Sequence, residues 1–452
     1  MPTPTPRPPY INVGGSNGLP TIQSAIDTAH NGDTIRVAQG TYSENLLISG
    51  SKVITLQGGW DNSFSSFTKN SSKTVLDGSL SGSVINVQVS MNSNVNLTFD
   101  GLTIQNGKAV DGGGINVYSI GPQSSVNVTV QNCIVRNNSA TNNGGGILVN
   151  IFSNCTASIN LVNNTIQFNR ADASGGGLWF NAVTANLNVY MLRNLMMNNS
   201  AITTDGGGMA AYASDWDTNT TITMENNLIA RNEGAYGGGL FFFAHNGYTA
   251  PTGPNHHQSF INVTLSNNIV AYNHGVQAFG ALVFYTGGNG TGVFSVQNND
   301  VVYNWADLMH NGGIFISSGG GYTGTPIEND YATLQCILKN NILWGNHGNA
   351  GENNIDIYSY KSTAPASVNV SYCIIGSYTN YQGDLRFQNC LNTDPEFVDP
   401  SNLNFAFQEG SPAIDAGDVS AQLNDAQRPP GKGTFRGDLG CYGGPLNYQW
   451  LL

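Results

Sequence analysis

The residues best suited to chemistry cluster in two stretches that are longer than their counterparts elsewhere in the chain. Glycine triplets and asparagine pairs alternate along the sequence with 16 to 18 residues between them in most units, but residues 239 to 267 span 28 and residues 313 to 340 span 27. The first insertion, FFFAHNGYTAPTGPNHHQ, supplies His245, Tyr248, His256 and His257, and the second, SSGGGYTGTPIENDY, supplies Tyr322, Glu328, Asp330 and Tyr331. Tyr285 lies between them, and ASDWDT adds Asp215, Trp216 and Asp217 one unit earlier. Aromatic rings offer flat apolar faces to sugar rings, while imidazoles and carboxylates bond hydroxyls. Trp216, His245, Tyr248, His256, His257, Tyr285 and Tyr322 therefore form a candidate glycan-binding groove. Asp215, Asp217, Glu328 and Asp330 could hold calcium, which takes oxygen ligands. Packing of both insertions on the side of the molecule, or on a neighbouring subunit, accounts for the same residues. His256 and His257 lack a third ligand at a metal-binding spacing.

A second set runs through the repeat as the residue after a recurring asparagine: Arg170, Ser200, Glu233, His274, Trp305 and His347. A glutamate, an imidazole and an indole in succession could bind a sugar, although polar residues at a turn read first as a solvated loop. Towards the C-terminus, Asp415, Asp418, Asp425, Arg428, Arg436 and Asp438 are dense for so charge-poor a chain. They are expected to fix long loops by charge-assisted bonds.

The elements that position these residues follow from an internal repeat of about 31 residues, the mark of a solenoid. One column is a polar pair whose second member gives Asn164, Asn194, Asn227, Asn268, Asn299 and Asn341, with Cys133 as a variant. Five residues later comes Asn138, Asn169, Asn199, Asn232, Asn273, Asn304 and Asn346. The third column is a glycine triplet followed by an aliphatic residue, as in Gly144 to Ile147 and Gly175 to Leu178. Alternating runs such as Val126, Val128 and Val130 read as strands with one face on a core. Asparagine tolerates left-handed backbone and bonds neighbouring backbone, so stacked asparagines can ladder from coil to coil. The expected fold is all-β: a right-handed parallel β-helix of about a dozen coils with three strands each. Residues 19 to 31, with Ile22, Ile26 and Ala29 at helical spacing, make a short N-terminal helical cap.

Thr21 to Gly78, including GDTIRVAQGTYSENL, QGGW and TVLDG, resembles the opening of pectate-lyase-like β-helix proteins. DPEFVDP, SPAIDAGD and RGDLGCYG, between residues 394 and 443, resemble the ending of bacterial surface proteins of the choice-of-anchor Q type. That ending usually closes on Tyr and Glu, whereas Cys441-Tyr442-Gly443 lacks the Glu, so no anchor is expected from these residues. The resemblance raises polysaccharide hydrolysis or lysis as activities. Neither the carboxylate motifs of polygalacturonases nor an acidic calcium cluster with an Arg or Lys base is found. Asn273-His274-Gly275 and Asn346-His347-Gly348 match the ordinary asparagine column.

Charged residues make up 10% of the 452, and the net charge is −12, which argues against nucleic acid and favours neutral ligands. No run of 18 apolar residues exists to cross a membrane as a helix. Six cysteines without a CxxC pair argue against a zinc or redox site, and one or two disulfides near the C-terminus are expected. The proline- and threonine-rich residues 1 to 10 read as a tail or linker, residues 11 to 393 as the β-helix, and residues 394 to 452 as a C-terminal capping region. The expected role is an extracellular or cell-surface protein that is structural, adhesive or self-assembling, with the tail and the open helix ends as contacts for further copies. The alternative is a polysaccharide-binding or polysaccharide-degrading protein using the loop-walled corner. Neither needs a cofactor, although calcium could serve the second.

Overall fold

A computed structural model describes residues 8–246, 258–308, 311–319, 332–359 and 366–447. The chain winds as a right-handed parallel β-helix. Among the described residues it builds three sheets of 13, 11 and 11 strands, joined by a fourth, narrow ladder of nine. One coil shows the order: Ser125–Gln131 in the first sheet, Ile134–Arg136 in the second, Ser139–Ala140 in the narrow ladder and Ile147–Phe152 in the third. Each strand pairs in parallel with its equivalent one coil on, as Ser125 does with Thr156. The fourth ladder adds to the three strands expected per coil. Most of its strands are two residues long and show no alternation to reveal them in the sequence.

Alternation places Val126, Val128 and Val130 inward, and one continuous apolar core runs from Val13 to Ile375. At the N-terminal end, Thr21 caps the helix Ile22–Thr28 by accepting from the Ser24 N–H. The Glu44 carboxylate accepts from the Ile22 and Gln23 N–H groups at 2.9 and 3.0 Å, and Ile22, Ala25 and Ile26 are buried. The tail expected to drive self-association lies, up to residue 7, outside the described residues, as does the apolar ending from Tyr448.

The two asparagine columns are buried ladders. In the first, the backbone N–H and the Nδ2 of each asparagine donate to Oδ1 of the next, from Asn164 through Asn194, Asn227, Asn268 and Asn299 to Asn341, at 2.8–3.1 Å. Each Nδ2 also donates to a strand carbonyl of the coil before, as Asn268 does to Met224 at 2.9 Å. The second column, Asn138 to Asn346, repeats the arrangement. Each turn would otherwise bury a backbone N–H with no strand partner, and the amide supplies the acceptor.

The residue before each ladder position bends the chain. Asn163, Arg193, Asn226, Asn267, Asn298 and Asn340 have φ between 53° and 55°. Asparagine is among the residues that best tolerate this left-handed conformation. The glycine triplets serve close approach: a Cβ on Gly145, Gly176, Gly207 or Gly238 would sit 2.3–2.4 Å from the backbone of the next coil.

The C-terminal residues, read from sequence as a cap, run back along the outer face of the second sheet. Phe397, Phe405, Phe407, Ala413, Leu439 and Cys441 cover Ile269, Ala271, Val302, Ile342 and Ile374. The first asparagines of the pairs hold this segment. Asn267 Nδ2 donates to the carbonyls of Cys441 and Gly443 at 2.8 and 2.7 Å, and Asn340 Oδ1 accepts from the Asp418 N–H at 2.9 Å. Lys339 pairs with Asp418 at 2.7 Å and, against the cost of burial, holds its carboxyl down at about 2. The charged cluster between Asp415 and Asp438 is therefore woven into this clasp. Burial pushes Asp300 up to about 7; burial and the Asp438 charge push Asp425 to about 7; burial pushes Asp438 to about 6. The six cysteines are free thiols in this structure, where one or two disulfides near the C-terminus were expected.

Two outcomes follow. Asn268→Ala removes the acceptor for two donors of Asn227, and each buried donor left unsatisfied costs about 1–3 kcal/mol. Its thermal unfolding should fall well below that of the surface variant Thr264→Ala, which should match the parent. The second concerns pH. Asp300, Asp425 and Asp438 bind protons more tightly folded than unfolded, so their contribution to stability is complete below about pH 4 and is lost as pH rises through 6 to 7. Melting temperatures from pH 5 to 8 should fall, and Asp300→Asn should flatten the slope.

Candidate functional site

The corner singled out by the long insertions is partly described. Asp215 and Asp217 take left-handed backbone at either side of Trp216, which is 49% exposed. The Asp215 N–H donates to the His245 carbonyl at 3.0 Å, and burial lowers the His245 imidazole's basicity while the Asp215 charge opposes it. Tyr285 does not face an open groove. It is 4% exposed in an aromatic column on the outside of the third sheet, with Tyr212 and Phe243 at 5.3 Å and Phe243 and Tyr285 at 4.8 Å between ring centres. Asp205 accepts from the Tyr212 hydroxyl at one edge of that column. Tyr248, His256, His257, Tyr322, Glu328 and Asp330 lie outside the described residues. Among the described residues no three His, Cys, Asp or Glu converge as a metal centre.

The other row gains substance from geometry. Register stacks Glu233 on His274, His274 on Trp305 and Trp305 on His347 along the narrow ladder. The His274 and Trp305 rings lie 4.7 Å apart and within 17° of parallel. His274 Nδ1 meets Glu233 Oε2 at 3.2 Å and Nε2 meets Asp307 Oδ2 at 2.8 Å. Clamped on both edges, the imidazole fixes the plane of the indole stacked on it.

A second row stands across the turn. Arg231, Tyr272 and Tyr303 precede the asparagine ladder and have φ of 55° to 56°, which turns their side chains out of the coil. The two phenol rings stack at 5.5 Å and 14°. Burial, with the charge of Asp394, pushes the Tyr303 hydroxyl up to about 12. Arg231 Nη2 donates to the Ser401 carbonyl of the C-terminal clasp at 3.3 Å. Between the rows lies a groove of about 430 Å³ lined by Arg231, Asn232, Glu233, Tyr272, His274, Trp305 and Ser401. That size falls within the roughly 300–1,000 Å³ of small-ligand sites.

The fold is a parallel β-helix, on the sheet topology above. Among solved structures the chain is similar to one titled "Crystal structure of pectate lyase Pel9A", at 11% identity over 96% of each chain, with a TM-score of 0.48. At that distance no residue role passes from one to the other. No protein-family model matches the chain, the choice-of-anchor Q type included, and no curated protein matches it.

Sequence reasoning found Glu233, His274 and Trp305 but set them aside as a solvated turn, and it missed Arg231, Tyr272, Tyr303, Asp307 and Ser401. A signal was present: the position before the asparagine column turns from Asn198 to Arg231, Tyr272 and Tyr303 in successive coils. The contribution of Ser401 had no signal, because it depends on where the C-terminal segment lies.

Proposed function

We propose that this chain is an exported, glycan-binding rod of a cell surface or extracellular matrix, adhesive rather than degradative, which holds a neutral polysaccharide in the groove between Tyr272 and Trp305. The observation that carries the reading is the groove itself, in which stacked aromatic rings on two sides stand beside Glu233, His274 and Arg231. Apolar surface for sugar faces and oriented polar groups for hydroxyls are what such a ligand needs. A net charge of −12 disfavours polyanions and supports a neutral ligand. Binding of this kind needs no cofactor.

Affinity electrophoresis through gels carrying xylan, mixed-linkage glucan, galactomannan or polygalacturonate tests it. The protein should be retarded by at least one neutral polymer. Loss of a stacking anchor at the centre of a site costs about 2 kcal/mol or more, so Trp305→Ala should weaken binding roughly thirtyfold. Trp216→Ala should behave as the parent. No retardation in any gel would contradict the reading, and loss in Trp216→Ala alone would move the site to the corner of the long insertions. Release of reducing ends or unsaturated uronate would make the protein a degrading enzyme.

A further inference from the structure

The first asparagine ladder, Asn164 to Asn341, does not end on asparagine. Strands Ser367–Ser371 and Asp384–Gln388 pair in parallel with Ser371 opposite Gln388. Beyond them the Tyr372 N–H donates to the Gln388 carbonyl at 2.9 Å and the Leu391 N–H to the Cys373 carbonyl at 2.8 Å. These bonds carry the register past the turn and set Cys373 opposite Cys390, with Tyr372 and Asn389 in the left-handed turn position at φ 51° and 53°. Cys373 occupies the next place in the ladder: the Asn341 N–H points at its Sγ, 3.3 Å away, as each N–H below points at an amide oxygen. Equivalent residues on neighbouring parallel strands stand roughly 4.8 Å apart, within the Cα separation that a disulfide spans.

We infer that Cys373 and Cys390 are a redox-active dithiol that closes to a disulfide between the last two coils. This inference is independent of glycan binding. Cys390 is partly exposed, Cys373 is buried, and the other cysteines sit apart from them: Cys336 lies opposite Phe294 and Val368, and Cys133 meets Asn164. The order of events follows from access. The Cys390 thiolate attacks a sulfur of a disulfide oxidant such as glutathione disulfide, forming a mixed disulfide and releasing one thiolate. Cys373 then attacks Cys390 Sγ and expels the second. Two protein thiols lose two protons and two electrons, and the oxidant becomes two thiols. Hydrogen bonding from the Cys373 thiol favours the Cys390 thiolate, while burial keeps Cys373 protonated. The bond would staple the terminal coil, whose strand Asp384–Gln388 is the edge of the first sheet among the described residues.

The whole chain, incubated with glutathione disulfide and with dithiothreitol, is alkylated in denaturant and mapped by mass spectrometry. Oxidised protein should yield one linked pair of peptides holding Cys373 and Cys390, about 2 Da lighter than the sum of the separate peptides. Neither Cys373→Ser nor Cys390→Ser should yield it, and oxidation should raise the melting temperature of the parent alone. Alkylation of both cysteines after oxidation, a stable glutathione adduct on Cys390, or a link to any other cysteine would overturn the inference.

Discussion

The amide-to-amide hydrogen bond inside the turn is the interaction on which the rest of this structure depends. A coil that reverses direction between short strands buries backbone N–H groups where no strand can accept from them, and an orphaned donor in a dry core is costly. From Asn164 to Asn299 the column answers each such group with a side-chain oxygen from the next coil, and Nδ2 returns the favour to the coil before. The bonds lie along the rod axis, so they set the coil spacing as well as the turn. Because each asparagine bridges three coils, the strands above and below are held in one register, and side chains far apart in sequence stack in rows.

Those rows are where function can be built. The left-handed residue before each ladder must send its side chain outwards, and what stands there decides the character of that flank. On the first turn it is mostly asparagine, and the rod uses it to hold its own C-terminal segment through Asn267 and Asn340. On the second turn it becomes Arg231, Tyr272 and Tyr303, one wall of the groove. The same backbone constraint thus serves cohesion on one edge and, in the function proposed, ligand recognition on the next. The C-terminal clasp joins the two by bringing Ser401 to Arg231.

How much of this was legible depended on whether the information was local and repeated. The solenoid, its asparagine columns and its glycine bends recur in successive units, so one chain supplies its own comparison. The narrow fourth ladder was hidden, since most of its strands have two residues and cannot show a period. The path of residues 394 to 447 was hidden as well, because nothing local in DPEFVDP or SPAIDAGD says which face they will cover. Half of the corner groove rests on Tyr248, His256, His257, Tyr322, Glu328 and Asp330, outside the described residues. Tyr285, reasonable as a ligand contact from its place between two long insertions, is spent on packing against Phe243.

A crystal structure of the protein soaked with an oligosaccharide of whichever polymer retards it most would test the central claim most directly. The account predicts a sugar ring lodged between Tyr272 and Trp305, with hydroxyls bonded to Glu233 or Arg231. A sugar bound at Trp216 and His245, with the Tyr272 groove empty, would contradict it.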